Sequence, residues 1–151
     1  MVDQTTKIRA AIFGGSGYGG SELLRILLFH PDVEIAFVTA GEQVGKKVSE
    51  VHRNLHGLTE LAFITSPEDL GKLTDIDVAF FALPHGQALD MIAKLPADVK
   101  AIDLSGDFRL DSPEEFERFY KLPHAGDLQS QFVYGQTETN RDQIASTRLI
   151  A

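Results

Sequence analysis

The chain has 151 residues, 43% hydrophobic and 24% charged, with a formal net charge of −8 and no cysteine. That is enough for one ordinary globular domain with a real core. It excludes disulfides, thiolate metal sites and any cysteine nucleophile within these residues. The acidic balance argues against nucleic acid or an anionic membrane as partner, no apolar run approaches the ~20 residues of a membrane span, and the polar start Met1–Lys7 does not read as a signal peptide. A cytoplasmic protein is the expectation.

In chain order, residues 8–13 form an apolar run, as expected of a strand buried on both faces of a parallel sheet. A glycine-dense turn follows. Then comes a helix whose inner face carries Leu23, Leu24, Leu27 and Leu28 and which stops at His30-Pro31. Residues 33–38 read as the second strand. Residues 39–57 read as a long polar, irregular connection holding Lys46, Lys47, His52 and His56. Residues 61–64 are a short third strand, and Ser66-Pro67-Glu68-Asp69 has the signature of a helix start.

The segment 77–83 is the clearest strand, closed by Pro84-His85-Gly86. Ala88, Met91, Ile92 and Leu95 then recur at amphipathic helical spacing. Residues 100–104 are the next strand, ending in Ser105-Gly106-Asp107-Phe108-Arg109. Ser112-Pro113-Glu114-Glu115 opens a short helix with Phe116, Phe119 and Tyr120 expected inward. Residues 132–134 read as a short strand, 141–146 as a helical turn or two, and 148–151 as a further strand. Strand and helix alternate throughout. The fold class is therefore α/β, a Rossmann-type doubly wound, mostly parallel sheet, formed by residues 1–151 as one nucleotide-binding domain. Such sheets bind ligands at the carboxyl ends of their strands, where the polar and glycine-rich tips at 14–20, 39–41, 84–86 and 105–109 gather.

The turn Gly14-Gly15-Ser16-Gly17-Tyr18-Gly19-Gly20 fits Gly-x-Gly-x-x-Gly from Gly15 to Gly20, and also an offset Gly14, Gly17, Gly20 spacing. A strand feeding a glycine turn at a helix N-terminus offers backbone N–H groups and the positive end of a dipole to a phosphate. A Walker loop fails because Ser21, not Lys, follows Gly20. A nucleophile elbow centred on Ser16 fails because position 18 is Tyr. At the second strand's tip Thr39-Ala40-Gly41 carries no acid of the kind that bonds a ribose 2′-OH; Asp32 and Glu34 lie before or inside the strand, Glu42 alone is close enough to complicate the reading, and Lys46 and Lys47 follow. This favours NADP(H) over NAD(H), with a solvated loop as the plainer reading of the two lysines.

Three stretches, 14–24, Phe80-Phe81-Ala82-Leu83-Pro84-His85-Gly86 and Ile102-Asp103-Leu104-Ser105-Gly106-Asp107-Phe108-Arg109-Leu110, resemble N-acetyl-γ-glutamyl-phosphate reductase of arginine biosynthesis. Arg118-Phe119-Tyr120, His124 and Tyr134-Gly135-x-x-Glu138 fit as well. The resemblance runs over essentially the whole chain. It implies an NADPH-dependent, aldehyde-forming reductase acting on a small acyl phosphate, in which a cysteine thiolate forms a thioester, hydride reduces it and a histidine serves as acid and base. In the family the cysteine lies in Asn-Pro-Gly-Cys or a near variant, after a strand resembling Arg148-Leu149-Ile150-Ala151, where this chain stops. The implied reading is the N-terminal cofactor-binding half of a homo-oligomeric enzyme, without catalytic residues of its own and inactive alone.

The resemblance further implies that Gly14, Ser16, Gly17, Tyr18 and Gly19 line the pyrophosphate and that Thr39 and Ala40 sit near the adenosine ribose. The family often has Ser-Arg after this Thr, whereas Ala40-Gly41 stands here. Leu83, Pro84, His85 and Gly86 approach the nicotinamide, bordered by Ser105 and Gly106. Arg109 is the candidate partner of a substrate carboxylate or phosphate. Plainer alternatives stand beside these. His85 could cap the next helix. Arg109 could pair with Asp107 or Asp103. His52 and His56, at metal-pair spacing without a third ligand in view, read as surface or loop-packing side chains. Two other functions are compatible with the sequence: reduction of carrier-linked α-aminoadipyl or glutamyl phosphate in lysine biosynthesis, and a non-catalytic NADP-binding regulatory module.

Overall fold

A computed structural model describes residues 7–151; the polar start at residues 1–6, read above as no signal peptide, lies outside the described residues. Six strands, β1 (Ile8–Phe13), β2 (Val33–Thr39), β3 (Phe63–Ile64), β4 (Val78–Phe81), β5 (Lys100–Asp103) and β6 (Leu149–Ile150), form one sheet in the order β3-β2-β1-β4-β5-β6. Every strand pair is parallel. The expected doubly wound sheet is present, and its order reverses between β1 and β4, where such sheets open a crevice.

β1 shows why its sequence is apolar at consecutive positions. Ala11 and Phe13 enter one core with Ala79, Phe81, Ile92 and Val99, while Ala10 and Ile12 enter the other with Leu24, Val38, Leu55 and Phe63. Alternate side chains thus fill both layers, and all four are fully buried. Phe13 stacks on Phe81 of the neighbouring strand at 4.8 Å between ring centroids, 6° from parallel. Burying one such ring contributes about 2–3 kcal/mol.

Among the described residues five α-helices accompany the sheet: α1 (Tyr18–Leu27), α2 (Val48–Val51), α3 (Leu89–Ile92), α4 (Pro113–Tyr120) and α5 (Thr137–Ser146). Leu24 and Leu27 of α1 are buried as expected, and the helix closes just ahead of Pro31. The connection expected to be irregular instead folds into α2 and a 3₁₀ turn, Arg53–Leu55, because Val48 and Leu55 plug the core beside Phe63. The helix start read at Ser66-Pro67 does not form. Asp69 there accepts from the Gly71 N–H at 3.1 Å and caps a 3₁₀ turn, Leu70–Lys72, so the local signal was for a turn. α3 is a single turn, though Ala88, Ile92 and Leu95 do face the core.

In α4, Ser112 accepts from the Glu115 N–H at 3.3 Å and Phe116 is buried, but Phe119 is 68% exposed, against expectation. Phe116 and Tyr120 stack on one stripe at i, i+4, and Phe119 falls 100° from Tyr120 on the helical wheel, beside the Arg118 guanidinium. α5 is longer than expected and kinks at Asn140. The short strand read at 132–134 is one bridge, Val133 to Ile150. Among the described residues no helix is long and apolar enough to cross a membrane.

Candidate functional site

The candidate site starts at the turn between β1 and α1. Gly14 has φ +82°, and a Cβ there would lie 2.4 Å from the Ala82 carbonyl oxygen. Gly15 has no room either, with Val38 2.0 Å from the position of a Cβ, and a Cβ on Gly20 would meet the backbone of Gly15 at 2.5 Å. These three glycines are required by packing: they let the turn lie on the sheet and α1 lie on the turn. Gly17 differs. It is exposed, its conformation is extended, and a Cβ would meet nothing nearer than the Gly14 carbonyl at 3.9 Å.

Gly17 caps α1 without any side-chain bond. The N–H groups of Ser16, Tyr18, Gly19 and Gly20 have no acceptor among the described residues. The first turn of α1 carries no acid. Such a helix end is a ready anion site, with unsatisfied donors and about half a positive charge on the dipole. Tyr18, 97% exposed, stands over it from the first helical position.

The turn is anchored from two sides. Thr39, at the tip of β2 and only 2% exposed, accepts the Gly14 N–H on its hydroxyl at 3.3 Å and the Gly15 N–H on its carbonyl at 2.8 Å. Its own hydroxyl proton has no acceptor among the described residues. On the outer side His52, buried just before the 3₁₀ turn, places Nε2 2.8 Å from the Gly15 carbonyl. Because that oxygen can only accept, Nε2 carries the proton. His52 is therefore an anchor of the glycine turn, and His56 is an exposed neighbour.

Gly14, Thr39, Ala40 and Leu83 line one groove of about 330 Å³, closed by Thr65 and Ser66 at the tip of β3 and by Gln87 and Met91 beyond β4. The tips of β1, β2 and β4 are thus brought together as expected. The sequence did not mark Thr65 or Gln87, and it marked Ser66 only as a helix cap; their place just past strand ends was the available signal for this groove. Lys47 does not serve this groove, since its ammonium bonds Glu60 at 2.5 Å, while Lys46 is exposed. The Lys47–Glu60 bond raises the pKa of Lys47 and lowers that of Glu60.

At the other end the tips of β4 and β5 meet. His85 Nδ1 accepts the Gly106 N–H at 2.8 Å, and Asp107 Oδ2 accepts the Gly86 N–H at 2.7 Å. His85 does not cap α3, whose N-cap, Ala88, receives no side-chain bond. Leu83 and Pro84 lead into this junction, and Ser105 lies beneath it, donating to Asp103 at 2.5 Å and accepting the Asp107 N–H at 3.1 Å. Burial pushes the Asp103 carboxyl above its ordinary value; nearby Asp107 adds to the rise, and the Ser105 bonds and Arg109 oppose it.

Arg109 forms no ion pair with Asp107 or Asp103. Its guanidinium donates to the Leu104 carbonyl at 2.7 Å, which leaves most of its donor fork exposed.

Residues 9–147 match the family described as semialdehyde dehydrogenase, NAD binding domain. An N-acetyl-gamma-glutamyl-phosphate reductase of Nitrosococcus oceani is 48% identical over 146 residues, covering 95% of this chain and 42% of that protein. The enzyme of the same name from Bordetella pertussis is 45% identical over 147 residues, covering 96% and 41%. The chain therefore spans about two fifths of the length of these relatives. Among solved structures, an aspartate semialdehyde dehydrogenase with NADP from Candida albicans superposes with a TM-score of 0.54 at 18% identity, covering 72% of this chain and 32% of that one. A likeness at that identity bears on the fold.

Proposed function

This chain belongs to the semialdehyde dehydrogenase NAD-binding family, and from that premise we propose that it is the NADPH-binding part of an N-acetyl-γ-glutamyl-phosphate reductase. The whole enzyme reductively dephosphorylates N-acetylglutamyl 5-phosphate to the 5-semialdehyde. The observation that carries the reading is the open cradle at Gly17, ringed by the N–H groups of Ser16, Tyr18, Gly19 and Gly20, none of which has a protein acceptor among the described residues. A pyrophosphate supplies the oxygens those donors lack. The similarity to reductases of that name supports the substrate.

In this reading Gly14, Ser16, Gly17, Tyr18 and Gly19 hold the pyrophosphate, and Thr39 and Ala40 border the adenosine ribose. Thr39, Ala40 and Gly41 at the tip of β2 carry no carboxylate to repel a 2′-phosphate, Glu42 beyond them being the one acid nearby, and this favours NADPH over NADH. Leu83, Pro84, His85 and Gly86, backed by Ser105 and Gly106, hold the nicotinamide end. When bound, the cofactor supplies a hydride. Arg109 presents its free guanidinium donors to a carboxylate or phosphate of the substrate. Thioester chemistry needs a thiol, and these 151 residues contain no cysteine, so the chain binds cofactor and does not by itself turn over substrate.

The test is a fluorescence titration of the chain with NADPH and, in parallel, NADH. Saturable binding with NADPH the tighter ligand is expected. Binding of neither overturns the site, and NADH binding as tightly overturns the 2′-phosphate argument.

A further inference from the structure

The junction between β4 and β5 is reciprocal. The loop after β4 gives one backbone N–H, from Gly86, to a side chain of the loop after β5, the Asp107 carboxyl. The loop after β5 returns one backbone N–H, from Gly106, to a side chain of the first loop, the His85 ring. Donor and acceptor are adjacent residues in both loops, so the two bonds form a closed rung pair. Asp107 is 1% exposed, and its own backbone N–H is fixed by Ser105, so the carboxyl cannot wander. Its second oxygen, Oδ1, is buried without a hydrogen-bond partner and lies 3.8 Å from His85 Nδ1.

A ring nitrogen that accepts an N–H cannot carry a proton, so the neutral ring of His85 is protonated at Nε2. Nε2 has no acceptor among the described residues, and the side chain is half exposed. The Tyr120 ring packs edge-on against the imidazole at 4.9 Å between centroids and closes one face. What remains to the outside is one oriented N–H.

We propose that Asp107 is a positioning residue which, by clamping the tips of β4 and β5 together, holds His85 as the Nε2–H tautomer and so presents a hydrogen-bond donor to an oxygen acceptor at the nicotinamide end of the cofactor. The acceptor rests on the cofactor reading given above; the clamp and the tautomer do not. Gly86, at φ +81°, makes the turn that lets its N–H face Asp107. Without that bond the His85–Gly86 turn is free to move off Gly106, and the ring loses the donor that fixes its proton. The carboxamide oxygen of a nicotinamide is an acceptor only, the complement to Nε2–H and not to a bare Nε2.

The test is long-range ¹H–¹⁵N correlation on the chain with ¹⁵N-labelled histidine rings, His85 being assigned by its loss in His85→Gln. In the free chain His85 is expected to show one neutral tautomer, protonated at Nε2. Asp107→Asn, which keeps an oxygen for the Gly86 N–H, retains it; Asp107→Ala shifts the ring signals toward a tautomer mixture. A wild-type ring protonated at Nδ1, or a folded Asp107→Ala with an unchanged single tautomer, overturns the clamp. If Asp107→Ala does not fold, Nδ1 protonation in wild type or in Asp107→Asn still overturns it. Adding NADP⁺ should shift both the Gly17 amide and the His85 ring, whereas 2′-phospho-ADP-ribose, which lacks nicotinamide, should shift Gly17 only. Equal His85 shifts with both ligands, or none with NADP⁺ while Gly17 responds, overturn the assigned acceptor. A Gly17 amide unmoved by either ligand overturns the cofactor reading, and the free-chain tautomer then still decides the clamp.

Discussion

His52 Nε2 lies 2.8 Å from the carbonyl oxygen of Gly15, a contact across 37 residues that ties the outer connection to the glycine turn. The bond matters because both partners are buried. Removing the ring leaves a carbonyl that water cannot easily reach, at a cost of about 1–3 kcal/mol. His52→Ala is therefore expected to lose roughly that much stability in urea unfolding. It should also weaken NADPH binding, since the turn it steadies carries the phosphate donors. Unchanged stability and affinity would show that Thr39 alone holds the turn.

Gly20 and Gly17 of the turn should behave differently. Gly20→Ala forces a methyl against the backbone of Gly15 at 2.5 Å, where no flexible side chain can give way. A loss of about 3 kcal/mol or failure to fold is expected. Gly17→Ala meets nothing closer than 3.9 Å, so the melting temperature should stay within a degree or two of wild type. The methyl stands in the cradle, however, and NADPH affinity should fall about tenfold or more, as the loss of roughly 1.4 kcal/mol implies. A Gly17→Ala chain that binds NADPH normally would move the phosphate away from this turn.

The sequence displays the parts of this site that are local and hides those that are not. The run 8–13, the glycine turn and the Leu24–Leu27 face are periodic within a few residues, and each forms where expected. Ser66-Pro67 misleads because a capping signal reports only its own turn, while the segment must reach from β3 to β4 and does so through Asp69 and the 3₁₀ turn. Phe119 misleads because i, i+3 and i, i+4 partners of Phe116 lie on opposite flanks of its stripe, and packing chooses Tyr120. The bonds His52–Gly15 and Asp107–Gly86 join residues 37 and 21 apart. No periodicity marks such pairs, and only the fold brings them together.

Asp103 gives stability a definite dependence on pH. Burial raises its folded pKa above the ordinary value of 3.8, so between those two values the folded state keeps a proton that the unfolded chain has released. The contribution is fully present below 3.8 and is lost as pH rises through the folded pKa. Asp103→Asn, which cannot ionise and can still accept from Ser105, should remove this slope. Urea midpoints for both chains across a pH series should diverge with rising pH, wild type losing ground to the variant. A constant offset would mean that the carboxyl titrates alike in both states.

Gly106 and Tyr120 should be coupled. A Cβ on Gly106 would lie 2.3–2.5 Å from three atoms of the Tyr120 ring and phenol, and no other residue's atoms are among its three nearest neighbours. Gly106→Ala must therefore push that ring aside, disturbing its stack on Phe116 and its edge contact with His85. A loss of about 1–3 kcal/mol is expected. In a Tyr120→Ala background those three nearest atoms are gone, and the same substitution should cost clearly less than in wild type. A double-mutant cycle by urea unfolding reads the difference directly as the interaction energy. Additive losses would place the strain of Gly106→Ala in the backbone of the β5 loop, and the clamp to His85 would then depend on that backbone rather than on the aromatic ring that covers it.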